Sequence, residues 1–271
     1  MINNLRLLWA FLVRDFYTEI SYRTAFLVGI GGIFFNVLIF FFLSKFVDAA
    51  ANPMMAETGG DYFSFVLIGV AFGSYFGAGM TSFARGLRLA QTTGTLEAMM
   101  MTPSPVPAII IGSASWSYVF TTFRVLVYLL IGTLVLGVSF SGANYAAALL
   151  GLLLAIISFA SIGIISAGII MIIKRGDAVT GLISGMANLV GGVFYPIAIL
   201  PPALQFVARL LPITYALRLM RKALLGGATW SQLASDFLAL IIFCVILFPL
   251  SLVVFRYAVH RARLEGTLAH Y

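Results

Sequence analysis

The chain has 271 residues, 62% of them hydrophobic and only 9% charged, with a mean hydropathy of +1.07. Ordinary soluble domains carry roughly 25% charged residues, so this composition excludes a water-soluble globule and specifies an integral membrane protein. The net charge of +7 is spread over several polar segments, a pattern of membrane anchoring and topology rather than of nucleic-acid binding.

Residues 3–20 read as an amphipathic helix, with Leu5, Leu8, Trp9, Leu12 and Phe16 at helical spacing. Arg14, Asp15 and Glu19 interrupt it too often for a signal peptide. It lies in the interface and enters the membrane through an elbow, or it is the start of a long first span. The first span is read as 24–43, with Gly29, Gly31 and Gly32 permitting close helix packing and Asn36 polar within it. An acidic loop follows from Ser44 to Asp61. The second span is 62–83, where Gly69, Gly73 and Gly77 make two GxxxG repeats on one face.

Ala84 to Pro105 is the first long interior polar stretch. It carries Arg85, Arg88 and Glu97, with Thr95 near a helix start and Pro103 and Pro105 closing it. A short amphipathic helix between two spans suits docking of a soluble partner; the plainer reading is a loop on the lipid interface. The third run, 106–137, exceeds one bilayer crossing at about 1.5 Å per residue and contains Arg124. That arginine either lines a cavity or snorkels to the headgroups. The fourth span, 145–173, is rich in small residues, and a short positive loop at Lys174 and Arg175 precedes the fifth, 178–200, with Asn188 inside it.

Residues 201–232 are apolar yet broken. Pro196, Pro201, Pro202 and Pro212 accompany Arg209, Arg218, Arg221 and Lys222, which no plain span holds. Two short helices, Pro202 to Leu210 and Thr214 to Leu225, fit as a re-entrant or interfacial hairpin. The sixth span is 233–255. The expected fold is an all-α integral membrane protein of six transmembrane helices, with an interfacial N-terminal helix and the hairpin between helices five and six.

Both termini then share one side with ten Lys and Arg residues, which the positive-inside rule makes cytoplasmic. The four hairpin cations fall outside, against that rule. No GxxxxGK[ST], no HExxH, no His/Cys cluster and no intramembrane carboxylate chain is present. The single cysteine, Cys244, allows no internal disulfide. The sequence offers a passage without an engine.

Three features in order resemble the membrane permease subunits of the ABC-2 type of ABC transporter: the N-terminal helix, TTGTLEAMMMTP from Thr92 to Pro103, and GGVFYPIAILPPALQFVARLLPITYALRLMRKALLGG from Gly191 to Gly227. The resemblance implies two permease copies, as a homodimer or close heterodimer, above two cytoplasmic ABC ATPase subunits. ATP and Mg²⁺ would be on those partners, with no cofactor, metal or catalytic residue in this chain. Residues 84–105 would be the coupling region, with Thr92, Gly94, Thr95, Leu96, Glu97, Met100 and Pro103 contacting the ATPase. Transport would be outward across the cell membrane, along a dimer interface lined by spans one, two and five. Asn36, Arg124, Asn188, Phe194, Tyr195 and Pro196 are the candidates for path or gate.

The aromatic residues crowding span one (Phe34, Phe35, Phe40, Phe41, Phe42) and span two (Phe63, Phe65, Phe72, Tyr75, Phe76) fit packing or lipid contact better than a sugar track. The expected substrate is therefore hydrophobic or amphiphilic: a drug, an antibiotic or a lipid-like molecule. The alternatives are a polysaccharide or glycolipid exporter, a non-transporting scaffold or regulatory subunit, and an intramembrane enzyme.

Overall fold

The computed structural model describes residues 2–55, 61–95, 99, 101–102, 106–173 and 177–264. Helix α1 spans Ile2–Ser21 and α2 spans Arg23–Met55. Phe11 is the buried hydrophobe of α1, and Gly112 leaves room for its ring; a Cβ there would meet it at 2.5 Å. Trp9 and Phe16, expected among the apolar residues of this helix, are exposed. The loop expected from Ser44 is helical as far as Met55, because SKFVDAAAN contains no glycine or proline and three alanines favour the helix.

α3, Tyr62–Thr92, is the central helix: 78% of its apolar window is buried, against 11% for α2. It runs on past Phe83 through Arg85 and Arg88, so the polar stretch first extends the span rather than leaving it. The chain turns only at Thr93 and Gly94, where Gly94 takes the left-handed conformation (φ 68°). α4, Val106–Leu134, lies antiparallel to α3, with Tyr75 donating to Thr122 Oγ1 at 2.8 Å.

α5, Tyr145–Ile173, begins at the cap residue Asn144. The Asn144 side-chain oxygen accepts from the Ala147 N–H at 3.1 Å, and its amide donates to Ala228 O at 3.1 Å. α5 runs parallel to α3, and the close approach is at Gly79 and Gly163, where a Cβ on Gly163 would collide with the Gly79 carbonyl. Phe76 packs edge-on against Phe159 beside it, centroids 5.2 Å apart. The GxxxG repeat has a different use. Gly69 and Gly73 face Val193, and Gly77 meets nothing within 4 Å.

The fifth span differs from its expected form. α6, Asp177–Val190, has 14 residues, about 21 Å long at 1.5 Å per residue, short of a hydrocarbon core of about 30 Å. Gly191 and Gly192 (φ 82°) end it, and Pro196 precedes a 3₁₀ turn at Ile197–Ile199 rather than further helix. The expected hairpin follows as α7, Pro202–Arg209, and α8, Pro212–Leu224, bent by 85°. α9, Trp230–Leu264, packs parallel to α5.

Among the described residues, five helices are long and apolar enough to cross a membrane, or six crossings with the bent pair counted as one. Helix directions define two faces. The near face holds the ends of α3, α5 and α9; the far face holds their starts and the hairpin. The core is largely the packing of α3 on α4, α5 and α8, with α9 against α5 and α8, and includes Ile68, Tyr75, Phe159, Leu217, Met220 and Leu240. The glycines expected to pack α2 (Gly29, Gly31, Gly32), like Gly181 and Gly185 on α6, meet nothing within 4 Å.

Candidate functional site: an intramembrane groove and the hairpin that closes it

A groove of about 590 Å³ lies between α2, α3, α4 and α6. Small residues on α3 open it: Gly73, Ser74, Gly77 and Ala78 line one wall, and Gly181 and Ser184 of α6 line another. Its polar groups are Asn36, Thr81, Ser117, Thr121 and Asn188, with two cations, Arg85 and Arg124. Towards the far face it is bounded by Phe40, Val70, Val193 and Phe194. The Phe40 and Phe194 rings stack there, centroids 5.6 Å apart.

Arg124 is at mid-bundle. Thr122, two residues before it, bonds to Tyr75 near the middle of the 31-residue α3. The Arg124 guanidinium stands over the Phe120 ring at 5.4 Å, a favourable cation–π placement. Among the described residues, no carboxylate pairs with Arg124 or Arg85. A second cavity, about 660 Å³, opens from the near face between α1, α3 and α4 and shares Arg85, Ser117, Phe120 and Arg124 with the groove. Its other charged residues are Arg14, Asp15 and Glu19 of α1, and Arg14 pairs with Asp15 at 2.7 Å.

The far end depends on the hairpin. Arg221 of α8 is buried, with Nε donating to Phe65 O at 3.1 Å and Nη2 to Val193 O at 3.0 Å. The guanidinium also covers the Phe65 ring at 3.4 Å. Val193 lies in the non-helical stretch after α6, where a backbone carbonyl at membrane depth needs a donor from the protein. Gly69 makes the approach possible, because a Cβ there would strike Val193 O.

One turn away, Arg218 Nε donates to Asp236 Oδ1 at 2.6 Å, and Lys222 Nζ stands 3.6 Å from Oδ2. The Asp236 side chain is 0% exposed, against 45% and 31% for the two cations. Three of the four hairpin cations thus have protein partners, but Asp236 is the one carboxylate among those partners, so the hairpin stays net positive.

Of the expected path residues, Asn36, Arg124, Asn188 and Phe194 come together in the groove. Tyr195 and Pro196 do not line it; Pro196 caps the 3₁₀ turn beyond. Of the expected coupling residues, Thr92 ends α3, Gly94 forms the turn and Thr95 is helical, as is Met99. The Thr95 hydroxyl lies 2.9 Å from that of Thr93. Leu96, Glu97, Met100 and Pro103 lie outside the described residues.

Arg85 was expected in the polar stretch, and Asp236 falls within the expected sixth span, 233–255, with no role attached to it. The available signal was charge parity: Asp236 follows four cations and starts an apolar run with no other acid.

A family model, ABC-2 type transporter, matches residues 6–225 of the chain. No curated protein matches it.

Proposed function

The chain belongs to the ABC-2 type transporter family, and we propose that it is the permease subunit of an ATP-driven exporter for a hydrophobic or amphiphilic substrate, powered by a separate ATPase. The observation that carries this reading is the groove between α2, α3, α4 and α6, flanked by glycines of α2 and α6 at which an added Cβ would meet nothing within 4 Å. A second copy placed against those glycines turns two open grooves into one enclosed path. The apolar far end at Phe40, Val70 and Phe194 favours an amphiphile over a wholly polar saccharide.

The near face is cytoplasmic, in keeping with the larger number of cations expected on that side. There the Thr92–Pro103 segment docks on the ATPase, with Glu97 as its charged contact. Closure of the ATPases pushes this segment and, through the rigid α3, the wall that carries Gly73 and Gly77. The stacked Phe40 and Phe194 form the outer gate, and the break at Tyr195 and Pro196 lets Phe194 move without unwinding a full span.

The chain is expected to co-purify from its own membranes with a cytoplasmic ATPase in near-equal copy number. Glu97→Lys is expected to release that partner. A complex that forms normally and hydrolyses ATP normally with Glu97→Lys would show that the contact lies elsewhere.

A further inference from the structure

Arg85 and Arg124 line one groove in which the described residues supply no acid. A guanidinium at membrane depth is costly unless it is paired or solvated. Three hairpin cations have internal partners: Arg221 with two carbonyls, Arg218 and Lys222 with Asp236. Arg124 stands over the Phe120 ring and lines the groove.

Around it stand neutral hydrogen-bonding groups, Asn36, Thr121 and Asn188, while Phe40, Val70 and Phe194 supply an apolar end. A fork of N–H donors is the natural reader of a phosphate or carboxylate, and hydroxyl and amide neighbours complete the shell of such an anion.

We infer that the groove takes a substrate with an anionic headgroup, a phosphate or carboxylate carried on an apolar tail, with Arg124 pairing to the headgroup at mid-depth and Arg85 drawing it in from the near face. This deepens the exporter reading by specifying the charge of its substrate, and it rests on taking the groove as the substrate path. Two positive side chains in a low-dielectric cleft also raise the local concentration of anions and repel cationic amphiphiles.

The test uses the full chain in phosphatidylcholine nanodiscs and radiolabelled dodecyl phosphate, with empty discs as background. Saturable binding is expected. Dodecanoate is expected to compete and dodecyltrimethylammonium to fail. Arg124→Gln is expected to weaken binding about tenfold, the loss of a charge-assisted contact, and Arg124→Lys is expected to weaken it less. Arg85→Gln, at the mouth, is expected to slow association more than it weakens binding.

Competition by phosphatidylglycerol would identify membrane phospholipid as a source of the headgroup. Competition by inorganic phosphate alone at equal concentration would show an anion site indifferent to the tail, and would overturn the proposal. So would competition by the trimethylammonium compound, or wild-type affinity in the Arg85→Gln, Arg124→Gln double variant. Binding here needs no ATPase. Retained binding with no ATPase partner would sink the exporter reading alone, and an ATPase complex without anion binding would sink this one alone.

Discussion

Replacing Arg221 by methionine is the sharpest test of the hairpin. The substitution keeps most of the volume and removes the fork that holds Phe65 O and Val193 O. Hydrogen bonds from a charged donor contribute about 1.5–3 kcal/mol each, and leaving a buried acceptor without a donor costs about 1–3 kcal/mol. Phe65 O belongs to α3 and keeps its helical partner; Val193 O, outside any helix, has no such reserve.

Against the loss stands the desolvation cost of the guanidinium, which disappears in the variant. Buried ion pairs replaced as a unit by apolar side chains are often neutral for that reason. Here only one side is replaced and the carbonyls remain, so the balance falls toward destabilisation, about 3 kcal/mol. At about 2–4 °C per kcal/mol for chains of this size, the thermal midpoint drops by about 6–12 °C.

The single Cys244 gives the assay. It is half-buried, with Ser158 Oγ at 3.2 Å, so a thiol-reactive fluorophore added during a thermal ramp in detergent reports unfolding of the α5–α9 contact. Arg221→Lys, which keeps charge but not the fork, is expected to fall between. A methionine variant as stable as the parent would mean that Arg221 does not hold the broken backbone.

Asp236→Asn is expected to destabilise by about 2 kcal/mol, less than a wholly buried pair because Arg218 and Lys222 are partly exposed. A double-mutant cycle with Arg218→Gln measures the coupling, and a value near zero would refute the pairing. Gly163→Ala drives a methyl into the backbone carbonyl of Gly79, and overpacking of this kind costs about 1–3 kcal/mol. The matched control is Gly29→Ala, where nothing lies within 4 Å; it is expected to leave the midpoint of the isolated chain unchanged, and cross-linking yield between copies is the readout of its effect on the paired state.

The all-helical membrane architecture and the hairpin were legible because apolar length and proline placement are local properties. Four prolines and four cations within Phe194 to Gly227 cannot form a plain span, and α7 and α8 are the result. Four of the six residues expected along the path line the groove, for a related reason. Asn36, Arg124 and Asn188 are polar groups that helices of this composition do not carry without use, and Phe194 sits at the break.

The end of α6 at Val190 was not legible, since Gly191 and Gly192 occur equally in helices packed through glycine. The unpacked glycines of α2 show the same ambiguity from the other side: a small residue permits close approach, but only a neighbour makes it. Asp236 was missed because its partners lie across a turn, 18 residues away for Arg218, and sequence distance does not show which charges meet.

The Asp236 contact also bears on synthesis. Arg218 and Lys222 leave the ribosome before α9, the segment that carries their counter-ion. At about 5–20 residues per second, the hairpin exists for a short interval as a polycationic stretch with no acid to meet it. It cannot settle among α3, α5 and α9 until the last helix has entered the bilayer. The final membrane insertion thus supplies the counter-ion of the earlier segment, and a nascent chain ending before Asp236 leaves Arg218 and Lys222 without it.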